Sequence, residues 1–368
     1  MENKIKSIVN RFEICGTYDS GEVFGNGHIN ETFLIKTKEA DCDDYILQKV
    51  NHYVFRNVEG LMENMRRVTN HIRNKLKSDP QADIKRNVIS IIPAKDGKLY
   101  YKDETGDYWR ILLFIGGGHS YDIVDSPQKA YMGGRAFGNF QKLLSDFPPP
   151  PLVETIPNFH NIEMRLQTFF KTVQDDPEGR VSEVKEEIGY VEERQEEMKT
   201  IYNLGNEGKI PLRITHNDTK FNNILFDDED KVLCILDLDT VMPGYIHYDF
   251  GDAIRTGANT GAEDDENLAR VSLNIDLFKA YAQGFLEETH HFLNQYEIDN
   301  LAFSAKLFAF SQALRFLTDY IAGDVYYKIH HPKHNLQRTK AQFALLFSME
   351  KQYDEMRLII SKISADLK

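Results

Sequence analysis

His216-Asn217-Asp218-Thr219-Lys220-Phe221-Asn222-Asn223, then an acidic turn, the apolar run Val232-Leu233-Cys234-Ile235-Leu236 and Asp237-Leu238-Asp239, decide the reading of this 368-residue chain. The order makes chemical sense. A hydroxyl that attacks a terminal phosphate needs a carboxylate beside it to orient it and take its proton, and Asp218 is placed for that. Five residues on, Asn223 offers a neutral amide oxygen to a magnesium ion, and Asp237 offers the anionic oxygen that a hard octahedral cation prefers. Lys220, two residues past the base, is placed to meet charge on the transferring phosphoryl oxygens, and His216 opens the segment. A polar loop that merely precedes a strand would not need all of these groups in this order.

The layout His-x-Asp-x-Lys-x-x-Asn, buried strand, Asp is that of the protein kinases and their small-molecule relatives, with ATP and magnesium implied. Composition agrees with an enzyme of that size. With 41% hydrophobic and 27% charged residues, the chain can bury a large core and is expected to divide into two lobes. A formal net charge of -13 argues against nucleic acid as a partner and against an anionic membrane surface. The N-terminal dozen residues are charged and lack an apolar signal-peptide core, and no apolar run reaches membrane-spanning length, so a cytoplasmic enzyme is the expectation. Cys15, Cys42 and Cys234 are too few and too scattered to suggest a disulfide framework or a zinc site.

The first lobe is expected over residues 1–115 as the nucleotide-binding part and the second over 116–368 as the catalytic and substrate-binding part. β-like runs follow the turn Gly25-Asn26-Gly27-His28-Ile29-Asn30, and residues 58–77 have the apolar spacing of a helix. Strands over 88–93, 98–102 and 108–115 complete a small, mostly antiparallel sheet. Gly116-Gly117-Gly118 then punctuates the chain as a hinge, with the backbone of Phe114, Ile115 and Gly116 placed to read an adenine edge. Beyond it the pattern is helical over 127–147, 162–204, 273–288, 297–320 and 339–362. Four prolines, 148 to 151, stop the first of these helices.

Gly25, Asn26 and Gly27 occupy the place of a phosphate-covering loop without the full Gly-x-Gly-x-x-Gly pattern, and His28 and Asn30 are within reach of phosphate or acceptor. A kinase usually carries a cation on its third strand. Here Gln48 and Lys49 compete for that place and cannot both face ATP, because neighbouring side chains on a strand point to opposite faces. Lys49 is favoured, with Glu63 as its helical partner. His330, His331 and His334 lack cysteine partners, and a metal role for them is not expected.

Six segments carry a more specific resemblance: Gly27-His28-Ile29-Asn30, Tyr45-Ile46-Leu47-Gln48, Thr215 to Lys220, Asp237 to Gly244, Asp249-Phe250-Gly251-Asp252 and Arg315-Phe316-Leu317-Thr318-Asp319-Tyr320. Together they resemble the N-acetylhexosamine 1-kinase family of the aminoglycoside phosphotransferase and choline kinase group, over about residues 20 to 350. The resemblance implies an α+β, two-lobed, protein-kinase-like fold with a small β-rich N-lobe and a large, mainly helical C-lobe. It further implies ATP-dependent phosphorylation of the anomeric hydroxyl of N-acetylglucosamine or N-acetylgalactosamine. Asp218 would be the base, and Asn223 and Asp237 would hold magnesium. Asp239 would assist the metal or fix the loop, and Asp249 would tie the catalytic loop. Arg315, Asp324, Tyr326 and Tyr327 would face the sugar, together with His28 and Asn30. A kinase for another small hydroxyl compound (choline, homoserine, an aminoglycoside or methylthioribose) and a non-catalytic kinase-fold binding module are the alternatives. A monomer is the default expectation.

Overall fold

The computed structural model describes residues 2–25, 29–148 and 150–368. They form two compact units. The first comprises Met1–Ser120, Asp146–Pro157 and Ile224–Pro243, and the second Tyr121–Ser145, Asn158–Asn223 and Gly244–Lys368. The expected division at residue 115 is thereby corrected: the boundary falls after Ser120, and two later segments return to the first unit.

The first unit contains α1 (Glu2–Val9), β1 (Tyr18–Val23), β2 (Glu31–Thr37), β3 (Tyr45–Val50), α2 (Val58–Leu76), α3 (Ile84–Asn87), β4 (Ile91–Ile92), β5 (Tyr101–Lys102) and β6 (Tyr108–Leu113). The sheet runs β1-β2-β3-β6-β4, with β5 also on β6, and its pairings are antiparallel. Alternation along the strands sorts the two faces. Phe33, Ile35, Tyr45, Leu47, Trp109 and Ile111 share a core with Ile5, Ile8, Val9 and Phe12 from α1 and the residues after it. α1 itself was not anticipated from the sequence; its short apolar face is legible only against the sheet it covers.

α2 matches the expected helix to within a residue. Asn57 caps it by accepting from the Gly60 amide at 2.9 Å. Its buried Asn64 explains why the later segments join this unit. The Asn64 amide donates to the carbonyls of Val153 (2.8 Å) and Val241 (3.2 Å) and accepts from the Val153 amide (3.1 Å). The antiparallel hairpin of Ile224–Phe226 and Val232–Ile235 is held in turn by paired bonds between His119 and Phe226 (2.9 and 2.8 Å) and by Asn87 on the carbonyl of Leu233 (3.0 Å). Gly118 is needed beside it, since a Cβ there would meet the Leu225 side chain at 2.8 Å.

Although three scattered cysteines suggest no disulfide framework, Cys15 and Cys42 form a disulfide across 27 residues, with Cα atoms 5.6 Å apart. The β2 hairpin brings together positions that look scattered in the sequence. Cys234 is buried, and burial pushes its thiol up to about 12.

The second unit is mainly helical: α4 (Pro127–Leu144), α5 (Ile162–Asp175), α6 (Lys185–Met198), α7 (Thr200–Asn206), α8 (Ile246–Gly257), α9 (Ile275–Thr289), α10 (Gln295–Asp299), α11 (Leu301–Ile321), α12 (His334–Lys351) and α13 (Tyr353–Asp366), with the short strand β7 (Arg213–Thr215) leading into the catalytic segment. α11 is apolar on nearly every side and runs through the core. α4 and α9 approach closely because their contact is lined by glycine. A Cβ on Gly134 would lie 2.1 Å from the carbonyl oxygen of Tyr281, and one on Gly284 would lie 2.3 Å from that of Tyr131. No helix among the described residues is long and apolar enough to cross a membrane.

Candidate active site

In the helical unit, the segment after β7 is shaped from beneath by Asp249 of α8. This fully buried carboxylate accepts from the amides of His216 (2.9 Å) and Asn217 (2.8 Å) and from the side-chain amide of Gln141 (2.5 Å), while Thr219 donates to the Asp249 carbonyl at 2.7 Å. Burial raises the carboxyl above the ordinary Asp value, and these bonds oppose the rise. Asn217 takes a left-handed conformation, φ 64°, which asparagine tolerates better than most residues and which turns the chain sharply into Asp218. Phe221 anchors the far end: its ring fills the space where a Cβ on Gly133 would come within 2.1 Å.

The loop so held presents Asp218 half-exposed. Its carboxylate lies 3.2 Å from Nζ of Lys220 and keeps that ammonium above its usual pKa. The Asn223 amide donates to the Asp218 carbonyl at 2.8 Å, which turns the amide oxygen away from the backbone of the loop. Asp218, Lys220 and Asn223 are thus brought together. His216 is not on that side. Its ring is fully buried between Phe137 and Phe140, each centroid 5.6 Å away, so it props the loop and the expectation of a catalytic role is corrected.

A second cluster in the same unit gathers Arg315, Tyr326 and Tyr327. The guanidinium of Arg315 lies 5.6, 6.0 and 5.5 Å from the rings of Phe159, Tyr326 and Tyr327. Asp319 fixes the two tyrosines: its carboxylate accepts from their backbone amides at 2.8 and 2.9 Å and from Asn335 at 2.9 Å. Burial pushes the Tyr327 phenol up, whereas Tyr326 is 63% exposed. Asp324 does not join them as a sugar contact. Its carboxylate is taken by Arg180 (2.6 Å) and Asn335 (2.8 Å) inside the fold, which corrects that expectation.

His160, which sequence reasoning passed over, links the two clusters. Its Nε2 bonds the carbonyl of Asn217 at 3.1 Å, one residue before Asp218, and its ring packs on Tyr248 and Phe308. Burial drives its pKa down to about 3, so the ring is neutral and donates. Nothing local marks this histidine in the sequence.

In the sheet unit, the polar face of β3 and β6 holds a connected network. Gln48 donates to Thr32 (3.2 Å) and accepts from Nε of Arg110 (2.9 Å), and Arg110 makes two bonds to Asp239, 2.5 and 2.9 Å. Asn30 donates to the same carboxylate at 2.7 Å and accepts from the Asn51 amide at 2.9 Å. Three expectations are corrected here. Asp239 is buried, paired with Arg110 and bonded by Asn30, so it fixes its loop. Asn30 has both ends of its amide engaged and is a tie. Lys49 points to the opposite face, toward Asp107 (3.0 Å) and Glu31 (3.5 Å), and Glu63 pairs with Arg66 on its own helix (2.5 Å). The buried cation of this unit is Arg110, whose partner 129 residues away no local pattern could reveal.

Asp237 is exposed at a left-handed corner, φ 52°, directly after Ile235 and Leu236. An exposed carboxylate is a donor of the kind magnesium prefers, and in the helical unit the Asn223 side chain offers an amide oxygen of the kind it also accepts; the ion commonly takes one or two protein oxygens and fills the rest with phosphate and water. Of the 114–116 backbone, the Phe114 amide is used by the Asp44 carbonyl (3.0 Å) and the Gly116 carbonyl by Arg86 (3.2 Å). Gly25 has φ 72°, while Asn26, Gly27 and His28 lie outside the described residues. His334 pairs with Asp264 (2.9 Å) and accepts from the His330 amide (3.2 Å), and no metal-holding group of three His, Cys, Asp or Glu occurs among the described residues.

Residues 20–284 match the phosphotransferase enzyme family. Among solved structures, the chain is similar to a spectinomycin phosphotransferase in complex with ADP and spectinomycin, at TM-score 0.60 and 10% identity over 96% of this chain and 99% of that one. It is similar to an amicoumacin kinase in complex with AMP-PNP, calcium and Ami, at TM-score 0.58 and 10% identity over 96% and 93%. Choline kinase from Cryptosporidium parvum Iowa II gives TM-score 0.55 and 15% identity over 99% of each chain. These likenesses show a kinase-like fold with a small β-sheet N-terminal region and a helical C-terminal region. With the family match spanning most of its length, the chain belongs to the phosphotransferase enzyme family.

Proposed function

We propose that this phosphotransferase moves the γ-phosphate of ATP to the anomeric hydroxyl of an N-acetylated hexose, giving the sugar 1-phosphate. Asp218 orients that hydroxyl and accepts its proton. The ring oxygen makes an anomeric hydroxyl more acidic than an ordinary alcohol, so proton transfer can come late and positioning carries most of the rate. Lys220 meets charge on the transferring oxygens. Asn223 and Asp237 would hold magnesium, which supplies charge neutralisation on the phosphates. The Phe114 carbonyl with the Ile115 and Gly116 amides reads the adenine edge, and the turn from Gly25 through Gly27 covers the phosphates. ADP and AMP-PNP bound to the two antibiotic kinases support ATP as donor.

The observation that carries the acceptor reading is the tie between the clusters: the residue that bonds Asn217, His160, follows Phe159, on which Arg315 lies. A flat aromatic face for the CH surface of a ring, with donors beside it, is what an acetylated sugar requires. Cationic acceptors such as choline or an aminoglycoside call for carboxylates there, and the cluster presents a guanidinium. The test is an ATP–magnesium assay across free hexoses, both N-acetylhexosamines and amino alcohols, with the phosphorylated position assigned by phosphorus-coupled NMR. Phosphate on the C6 hydroxyl, or turnover of amino alcohols alone, rejects the proposal. Asp218→Asn is expected to bind ATP normally while turnover falls by roughly two to four orders of magnitude; near-normal turnover removes Asp218 as the base.

A further inference from the structure

The acceptor cluster holds a second guanidinium. Arg165 of α5 donates through Nη2 to the carbonyl of Phe159 at 2.7 Å, and the guanidinium of Arg315 lies 5.6 Å from the Phe159 ring, so two cations bracket one residue. Arg315 also donates to Gln312 at 3.1 Å. The Nε of each arginine is buried without a hydrogen-bond partner. Among the described residues neither is paired with a carboxylate. Arg110, Arg213 and Arg255 are by contrast paired, with Asp239, with Glu297 and with Asp252 and Glu263, whereas Arg86, whose Nε is likewise buried and unmet, donates to the carbonyls of Gly116 and Gly117.

Two like charges close together, with buried donors unmet, form an arrangement that folding alone disfavours. Burial, then the charge of Arg315, brings the Arg165 guanidinium down to about 10. An arriving anion would relieve the repulsion, and the terminal nitrogens of a planar guanidinium are well suited to an oxyanion. We propose that the acceptor carries, besides the hydroxyl that is phosphorylated, an oxyanion (a sulfate ester or a carboxylate) read by Arg165 and Arg315. The inference rests on the reading that the acceptor of Asp218 lies against this cluster. Within the N-acetylated hexoses it selects those that carry an acid group.

The experiment compares N-acetylglucosamine, its 6-sulfate and its C6 carboxylate, as kcat/KM and as Kd by calorimetry with ADP and magnesium present. At least a tenfold advantage for one acidic sugar is expected, as for a charge-assisted hydrogen bond, and the two acidic arms separate sulfate from carboxylate. Arg165→Gln is expected to shrink that ratio to within about threefold, and Arg165→Lys to retain part of it. Equal or poorer use of both acidic sugars overturns the inference, as does a ratio unchanged in Arg165→Gln. Should that variant fail to fold, the wild-type ratio decides alone. Phosphate appearing at a position other than C1 rejects the anomeric reading and leaves the anion preference to be judged from Kd. Failure of every sugar to bind rejects both.

Discussion

Removing the carboxylate of Asp239 while Arg110 remains strands a cation whose side chain, like that of Asp239, is 2% exposed. Arg110 loses two charge-assisted bonds, each of about 1.5–3 kcal/mol, and keeps the bond from its Nε to Gln48 and a weak one from Nη1 to the Met62 sulfur. Asn30 loses its acceptor as well. Breaking a buried pair by removing one partner costs about 3–5 kcal/mol, so Asp239→Leu is expected in that range. Pairing it with Arg110→Met replaces the charges by apolar volume, and the double variant should recover at least about 2 kcal/mol of the summed single losses. The readout is built in. Trp109, the chain's one tryptophan, is buried next to Arg110 in β6, so its fluorescence during urea unfolding reports this unit. A loss below about 1 kcal/mol for Asp239→Leu, or full additivity in the double variant, refutes the claim that the pair is a buried structural tie.

Lys49→Met should leave the KM for ATP within about threefold of wild type, because the ammonium lies on the α1 face with Asp107; a hundredfold rise would restore it to the nucleotide site. Acid should weaken the helical unit. Burial holds His247 down to about 4 and His160 to about 3, against an ordinary value of 6.5, so the unfolded chain binds protons that the folded one refuses. The stability conferred by a neutral ring is therefore complete above pH 6.5 and is lost as the pH falls toward 4, at about 1.4 kcal/mol per pH unit for His247. His247→Gln, which can still donate to the Glu297 carbonyl, should flatten that slope in urea titrations followed by far-UV circular dichroism; an unchanged slope counts against the assignment.

Local pattern made the element types legible. The apolar spacing of α2 with Asn57 before it, the proline at the start of α4 and the apolar strand before Asp237 all carry their signals within a few residues. Boundaries inside the long helical stretches were less visible. The expected helix over 162–204 is three helices, broken after Asp175, where Pro177 and Gly179 mark a stop in the sequence, and again at Lys199, where the Glu-rich segment keeps helical polarity across the break. α1 and α8 went unnoticed, the first for its brevity and the second because its buried face includes His247, Asp249, Asp252 and Arg255, polar residues that read as surface until their partners are known.

By itself the sequence determined the order of chemical groups from His216 to Asp239, since a loop that must present a base, a lysine and an amide within eight residues encodes them contiguously. Tertiary structure alone decided which groups face outward. It sent His216 beneath the loop, spent Asp239, Asn30 and Asp324 on internal partners, and turned Lys49 to the wrong face of its strand for a nucleotide. It also set Arg165 beside Arg315, on separate helices 150 positions apart, and Arg110 against Asp239. The physical reason is common to all of these. Side-chain direction and burial depend on which distant element packs against each face, and a pairing energy between residues remote in sequence leaves no mark on the pattern around either one.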